Sequence, residues 1–385
     1  MQQRSALFVT TVPVTLEMFL SSFAEHFRAR GWRVDALANG ASANERIAGS
    51  FDERFDVAWS RNPLDPRNLI GSAGAVRRIV EAGGYDIVHV HTPIAAFVTR
   101  FALRRARRLP GGPAVIYTAH GFHFYTGQNP LPHALYRTIE RVAARWTDYL
   151  VTINAEDETA ARAFAGIPHE RVRRIPGIGV DVTRYAEGAV SPAEVAAVRE
   201  ELALAPDAFV LLMIAEFGAV KRHAHLLEAF SRVRSKRVVL VLAGDGPLED
   251  AVRAQVRQLG LDDRVRFAGY RRDIPALLAA SDALVLTSER EGLNRSALEA
   301  MAAGRPVIGT NTRGIADAIR DGAGWVVAKH DAAALADAID TAAADPDEVA
   351  RRGAAARERA RDVFALPRII DAYEELYREA LASRV

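Results

Sequence analysis

Short, nearly continuous apolar runs alternate with longer helical patterns along the whole chain. This alternation restricts the possible folds more than any other feature. In the first half the strand-like runs are Ala6–Thr10, Val34–Ala38, Asp86–His91, Ala114–Ala119 and Tyr149–Asn154. In the second half they are Phe209–Ala215, Arg237–Ala243, Val265–Ala268, Ala283–Thr287, Pro306–Gly309 and Trp325–Val327. Runs that are apolar on both faces suit parallel strands covered by helices on either side. Between them, Leu16, Phe19, Leu20, Phe23 and Phe27 recur at helical spacing, and Gly31 stands where a C-cap is expected. The pattern predicts an α/β protein with two doubly wound, Rossmann-like domains facing a central cleft. Ligands are expected at the carboxyl ends of the strands.

A length of 385 residues fits two such domains. The joint falls in the Gly/Pro-bearing stretch PGIGVDVTRYAEG, after which Ser191 and Pro192 read as the N-cap and first turn of a helix. The expected division is 1–180, 181–366 and a terminal helix over 367–385. That helix carries Ile369, Ile370, Tyr373, Leu376, Tyr377 and Leu381, an apolar stripe expected to pack back on the first domain.

The absence of cysteine excludes disulfide scaffolds, thiolate metal sites and a Cys nucleophile. No run approaches the ~20 apolar residues that span a bilayer. The stretch MQQRSALFVTTVPVT lacks a basic segment followed by a long apolar core, so no signal peptide is expected and the location is read as cytoplasmic. Charge is uneven: residues 1–175 carry 22 basic and 16 acidic residues, a net +6, whereas 176–385 carry 28 and 32, a net −4. Within the basic half, Arg100, Arg104, Arg105, Arg107 and Arg108 cluster with Phe101 and Leu103. The cluster reads either as a surface meeting anionic lipid at the inner face of the cell membrane or as a solvated helix face. No nucleic-acid recognition motif accompanies it.

The most informative segment is Ser288–Pro306, SEREGLNRSALEAMAAGRP, which follows a strand and opens a helix at about Leu293. A strand, a Gly-bearing turn and a helix N-terminus together present backbone N–H groups and a positive dipole end to an anion. Glu291 and Glu299 bracket seven residues and are expected near the same side. Taken singly, each glutamate would read as an ordinary helix-terminus or surface residue. Lys221 and Arg222 follow another strand and precede a helix, a placement that reads as a diphosphate site or as a solvated basic pair. His120 ends the strand Ala114–Ala119, and His123 in the loop beyond it reads more readily as a loop histidine. His89 and His91 lie on one face of a strand, too few ligands to make a metal site.

EGLNRSALEAMAAGRPVIGT resembles the Glu-X7-Glu signature of retaining GT-B glycosyltransferases of family 4, with Glu291 and Glu299 as its two glutamates and Glu289 two places out of register. The segments Ala243–Pro247, Val265–Tyr270 and Gly166–Asp181 are similar to further parts of the family pattern, in the expected order. The run His120-Gly121-Phe122-His123-Phe124 resembles the subgroup that builds capsule, exopolysaccharide and lipid-linked oligosaccharides. The resemblance implies a nucleotide-sugar donor, most readily UDP-linked, and a polyprenyl-diphosphate-linked or other glycan acceptor. It implies His120 and Glu291 as catalytic residues. It implies Lys221, Arg222, Glu216, Gly244, Tyr270, Leu293, Asn294 and Glu299 as donor-binding residues, with no metal and no other cofactor.

Two departures stand out. Glu216 occupies the place where an Arg often precedes the Lys, so either Arg222 takes over the phosphate or Glu216 meets a sugar or ribose hydroxyl. The loop TTVPVT lacks the Gly-Gly pair that many relatives carry. Two alternatives stand beside this reading: a UDP-sugar 2-epimerase, which shares the two-domain plan, and a non-catalytic nucleotide-sugar or polyanion binder.

Overall fold

The computed structural model describes residues 3–60 and 65–384. It divides into two compact units, Met1–Ile178 with Ile369–Val385, and Gly179–Arg368.

The first unit holds a seven-stranded sheet made of β1 (Ser5–Val9), β2 (Arg33–Ala38), β3 (Arg54–Asp56), β4 (Ile87–Val90), β5 (Ala114–Ala119), β6 (Tyr149–Thr152) and β7 (Val172–Arg174). Their spatial order is β3-β2-β1-β4-β5-β6-β7, and every pairing is parallel. The five longer strands begin and end within two residues of the apolar runs. β3 and β7 were not expected: each is three residues long and not fully buried, so neither shows as an apolar run.

Alternation along the strands sorts the two faces. Leu7, Val9, Val88, Val90, Val115 and Tyr117 point into one core. On the opposite face Phe8 and His89 point toward the terminal helix Leu366–Ala382, where Tyr377 stacks on Phe27 at 4.9 Å between ring centres. Tyr373, Leu376 and Tyr377 are buried there, each contributing roughly 1.5–3 kcal/mol of apolar burial.

The second unit repeats the plan with six parallel strands: β8 (Phe209–Ile214), β9 (Val238–Ala243), β10 (Val265–Gly269), β11 (Ala283–Leu286), β12 (Val307–Thr310) and β13 (Gly324–Val327). Their order is β10-β9-β8-β11-β12-β13. Separate apolar cores cover the two faces of this sheet. Ser191 and Glu194 form a reciprocal capping box at the helix Pro192–Glu201. In both units the winding reverses between the first and fourth strands, β1/β4 and β8/β11. A doubly wound sheet leaves a crevice at such a reversal, beyond the strand carboxyl ends.

Candidate active site

The second unit assembles its polar cluster beyond the ends of β8 and β11. Lys221 Nζ lies 2.6 Å from Glu291 Oε1, joining loops 70 residues apart. The same oxygen accepts from Ser288 Oγ at 2.7 Å and from Asn294 Nδ2 at 3.1 Å. Oε1 is thereby saturated, and Oε2 remains to accept a further hydrogen bond. Thr287 Oγ1 donates to the Lys221 carbonyl, and Glu289 N donates to the Val220 carbonyl, locking the two loops together.

Arg222 stands next to Lys221 in the left-handed conformation, φ 56° and ψ 45°, which a side chain with Cβ adopts only at a cost. Its guanidinium reaches Glu289 at 2.7 Å. Glu289, out of register in the motif, is therefore a partner of Arg222. His223 stacks on Phe217 at 4.4 Å, and burial, then the Lys221 charge, lowers its pKa to about 4.

The helix within the motif opens at Arg295, two residues past the expected Leu293, because Asn294 serves as its N-cap. Asn294 Oδ1 accepts from Ala297 N at 3.0 Å. This corrects the expected start at Leu293. Glu291 precedes the helix, at the turn, and is drawn toward Lys221. Glu299 is buried on the helix, paired with Arg295 at 2.8 Å and hydrogen-bonded to Tyr185. Burial, and then that carboxylate, holds the Tyr185 hydroxyl well above its ordinary value.

The Gly-rich loop after β9 approaches β8 so closely that only glycine fits. A Cβ on Gly244, at φ 145°, would lie 2.1 Å from the Ala215 carbonyl oxygen. Glu216, at the end of this approach, is exposed, and Tyr270 is 63% exposed.

The first unit carries a histidine stack. The rings of His89 and His91 lie 4.0 Å apart between centres, tilted by 40°, and His91 Nδ1 meets His120 Nε2 at 3.1 Å. Both nitrogens of His89 are taken, Nδ1 by the Tyr377 hydroxyl at 2.5 Å and Nε2 by Thr118 Oγ1 at 2.8 Å. His91 Nε2 is buried with no partner. An unpaired lone pair is cheaper to bury than an unpaired N–H, so His91 carries its proton on Nδ1 and His120 Nε2 accepts it. The proton of His120 then sits on Nδ1, where it can be donated. Phe19, from a wide π turn at Leu16–Leu20, packs on the His120 ring at 5.5 Å. Thr11 and Thr92 close the β1/β4 end through their hydroxyls, 2.6 Å apart. Among the described residues no group of three or more His, Cys, Asp or Glu is placed to hold a metal ion.

Burial lowers the pKa of His89 to about 3, of His120 to about 4 and of His91 well below 6.5. A depressed folded-state value means stability is full above the unfolded value of about 6.5 and is lost as pH falls toward the folded one. Urea unfolding followed by tryptophan fluorescence is therefore expected to give a lower midpoint at pH 5 than at pH 7. Three of the four tryptophans, Trp32, Trp59 and Trp146, report on this unit. Replacing His120 with Phe should shrink the pH dependence. Equal midpoints at the two pH values would refute the account.

The basic segment Arg100–Arg108 is not the continuous charged face that a membrane-surface helix needs. Arg100 is fully buried, donating to Glu140 Oε2 at 2.9 Å and lying 4.0 Å over the Tyr117 ring. Arg104 bonds the Phe101 carbonyl, and Arg107 bonds Asp148 at 2.5 Å. Only Arg105 and Arg108 of the five are exposed. Among the described residues, no helix is long and apolar enough to cross a membrane.

Known proteins match this chain along its length. Residues 16–184 match the family described as Glycosyltransferase Family 4, and residues 195–359 match Glycosyl transferases group 1. A Bacillus subtilis (strain 168) protein named as the glycosyltransferase EpsD is 34% identical over 377 residues, covering 97% of this chain and 96% of its own. This chain is a GT-B glycosyltransferase of the family 4 type. An Escherichia coli relative is 29% identical over 65% of this glycosyltransferase and 63% of its own length. It is named UDP-Gal:alpha-D-GlcNAc-diphosphoundecaprenol alpha-1,3-galactosyltransferase. Among solved structures, Anabaena Alr3699/HepE in complex with UDP aligns at TM-score 0.78 and 24% identity, covering 98% of this glycosyltransferase and 100% of the other chain. A Rickettsia africae glycosyltransferase aligns at TM-score 0.82 and 19% identity over 99% of both chains. These two likenesses concern the fold. They match its two Rossmann-like units.

Proposed function

We propose that this glycosyltransferase moves a sugar, with retention of configuration, from a UDP-linked donor to a polyprenyl-diphosphate-linked or other glycan acceptor in surface polysaccharide assembly. The observation that carries the reading is the Lys221–Glu291 cluster, in which Oε1 of Glu291 is occupied by three donors and Oε2 is left for a hydroxyl. Names of relatives support the substrate classes: the Escherichia coli enzyme acts on a UDP-sugar and a diphosphoundecaprenol-linked sugar, and the Anabaena protein was crystallised with UDP.

In this reading the unit Gly179–Arg368 binds the donor. The departing diphosphate gains negative charge, which the Lys221 ammonium, Arg222 and the N–H groups around Leu293 and Asn294 stabilise without reorganising. Gly244 lets the backbone approach the donor. Glu216 accepts a hydroxyl, Tyr270 covers the base and Glu299 serves the ribose, roles that rest on the family resemblance. Glu291 Oε2 accepts a donor-sugar hydroxyl and orients the ring. By the family resemblance, His120 of the first unit serves the transferred sugar. No protein nucleophile is used. The acceptor oxygen attacks the face that the diphosphate leaves, so alignment and charge stabilisation provide the catalysis. The protein's own cations supply the charge, and no metal is required.

Glu291→Gln keeps size and shape but weakens the charge-assisted bond to the sugar. Titration calorimetry should show UDP binding within a few-fold of the parent, while UDP release from a UDP-sugar falls roughly 10²-fold. Unchanged turnover would remove Glu291 from the reaction. Incubation with UDP-GlcNAc alone should yield slow hydrolysis, and formation of an epimer would establish the isomerase instead.

A further inference from the structure

The first unit has a second concave site at the opposite end of its sheet from His120. A cavity of about 760 Å³ opens beside the residues that precede the strands: Arg4 before β1, Asp86 before β4, Asp148 before β6 and Arg171 before β7, joined by Arg107, Arg108 and Arg384. Its size lies within the range of small-molecule sites. Five arginines and two aspartates line it, and the aspartates do not balance the charge.

Asp86 is spent on the backbone N–H and hydroxyl of Ser5, at 2.7 and 3.1 Å. Asp148 is the one carboxylate that meets Arg107 at 2.5 Å, Arg384 at 2.7 Å and, more distantly, Arg171 at 3.8 Å among the described residues, while also accepting from Val115 N; backbone carbonyls of Arg145, Arg107 and Gly112 take further donors of Arg107 and Arg384. Among the described residues neither Arg4 nor Arg108 has an acidic partner. Arg107, with its side chain 11% exposed, keeps a buried Nε that has no acceptor. Guanidinium forks gathered at uncompensated charge, one with an orphaned donor, match the geometry of a phosphate group.

We propose that this cavity binds a phosphate-class dianion at a site separate from the donor site. The shared chemistry is a terminal phosphate, supplied either as a soluble phosphate or as the headgroup of an anionic lipid. Arg107 and Arg384 hold it from the Asp148 side, and Arg4 and Arg108 close over it. This recasts the basic half of the chain: its excess charge acts at one concave point rather than along a helix.

The test is equilibrium binding of inorganic phosphate to the full-length protein at constant ionic strength, with chloride as the control. It is run in parallel with co-sedimentation on phosphatidylcholine vesicles with and without phosphatidic acid. Arg4→Ala combined with Arg108→Ala breaks no ion pair and should leave the fold intact, as checked by thermal unfolding. It should weaken phosphate binding at least tenfold, the loss expected for removing charge-assisted contacts. Lys221→Ala should leave this binding unchanged, which separates the site from the donor site whatever the fate of the proposed function. Saturable phosphate binding lost in the double variant supports the soluble source. Sedimentation with phosphatidic acid vesicles that the double variant abolishes, and that phosphate competes away, supports the lipid source. No binding of either probe, binding untouched by the double variant, or binding lost in Lys221→Ala overturns the proposal.

Discussion

Replacing Lys221 with Ala is expected to lower donor-dependent turnover by about 10²–10³-fold, equivalent to about 2.7–4 kcal/mol of lost charge stabilisation. Two effects add. The ammonium that would meet the departing diphosphate is gone, and Glu291, held 2.6 Å away in the parent, loses its neutralising partner. An uncompensated carboxylate beside the diphosphate also raises the donor KM. Lys221→Arg should recover only part of the loss. The Nζ position is a single point on Oε1, shared with Ser288 and Asn294, and a planar fork cannot occupy it without displacing one of them. The measurement is steady-state UDP release from UDP-sugars, which needs no identified acceptor. A Lys221→Ala enzyme within a few-fold of the parent would sink the assigned role.

Replacing Glu140 with Ala is expected to produce the largest stability loss in the first unit, about 3–5 kcal/mol. Arg100 is fully buried, and Glu140 is its counter-charge while also accepting from the Tyr117 hydroxyl at 3.2 Å. Removing the carboxylate leaves a guanidinium in a dry site, whose desolvation the cation–π contact with Tyr117 offsets only in part. For a unit of this size the melting temperature should fall by about 10 °C. The double change Arg100→Met with Glu140→Leu removes both charges, and it should recover most of the loss because the pair repays little beyond its own desolvation. Thermal unfolding of the three proteins checks both statements. A Glu140→Ala variant within about 1 kcal/mol of the parent would contradict the first.

The same arginine separates what a sequence displays from what it hides. Arg100 falls in one basic run with Arg104, Arg105, Arg107 and Arg108, because charge density along a chain is visible while the facing helix is not. Glu140, 40 residues on, decides that Arg100 is internal. β3 and β7 were missed for a related reason, since short strands at a sheet's edges need no apolar run. Glu291 and Glu299 were found from their spacing, but their partners were not. A helix begins only where a cap allows it, and Asn294 sets that start from its own side chain. The histidine stack was legible only as His89 and His91 sharing a face. The Tyr377 hydroxyl that holds His89 comes from 288 residues away.

The alternation of apolar runs and helical stripes by itself determined two parallel, doubly wound sheets. Local hydrophobic periodicity and turn residues decide which segments become strands and helices. Resemblance to the family pattern singled out Lys221, Glu291 and His120. Tertiary structure alone decided what each of these groups touches. In the second unit it placed the ends of β8 and β11 side by side, so that Lys221 and Glu291 meet. In the first unit it saturated His89 and joined His91 to His120, and it drew five arginines to the foot of one sheet. Pairings of that kind depend on strand order and long-range packing, which no window of neighbouring residues encodes.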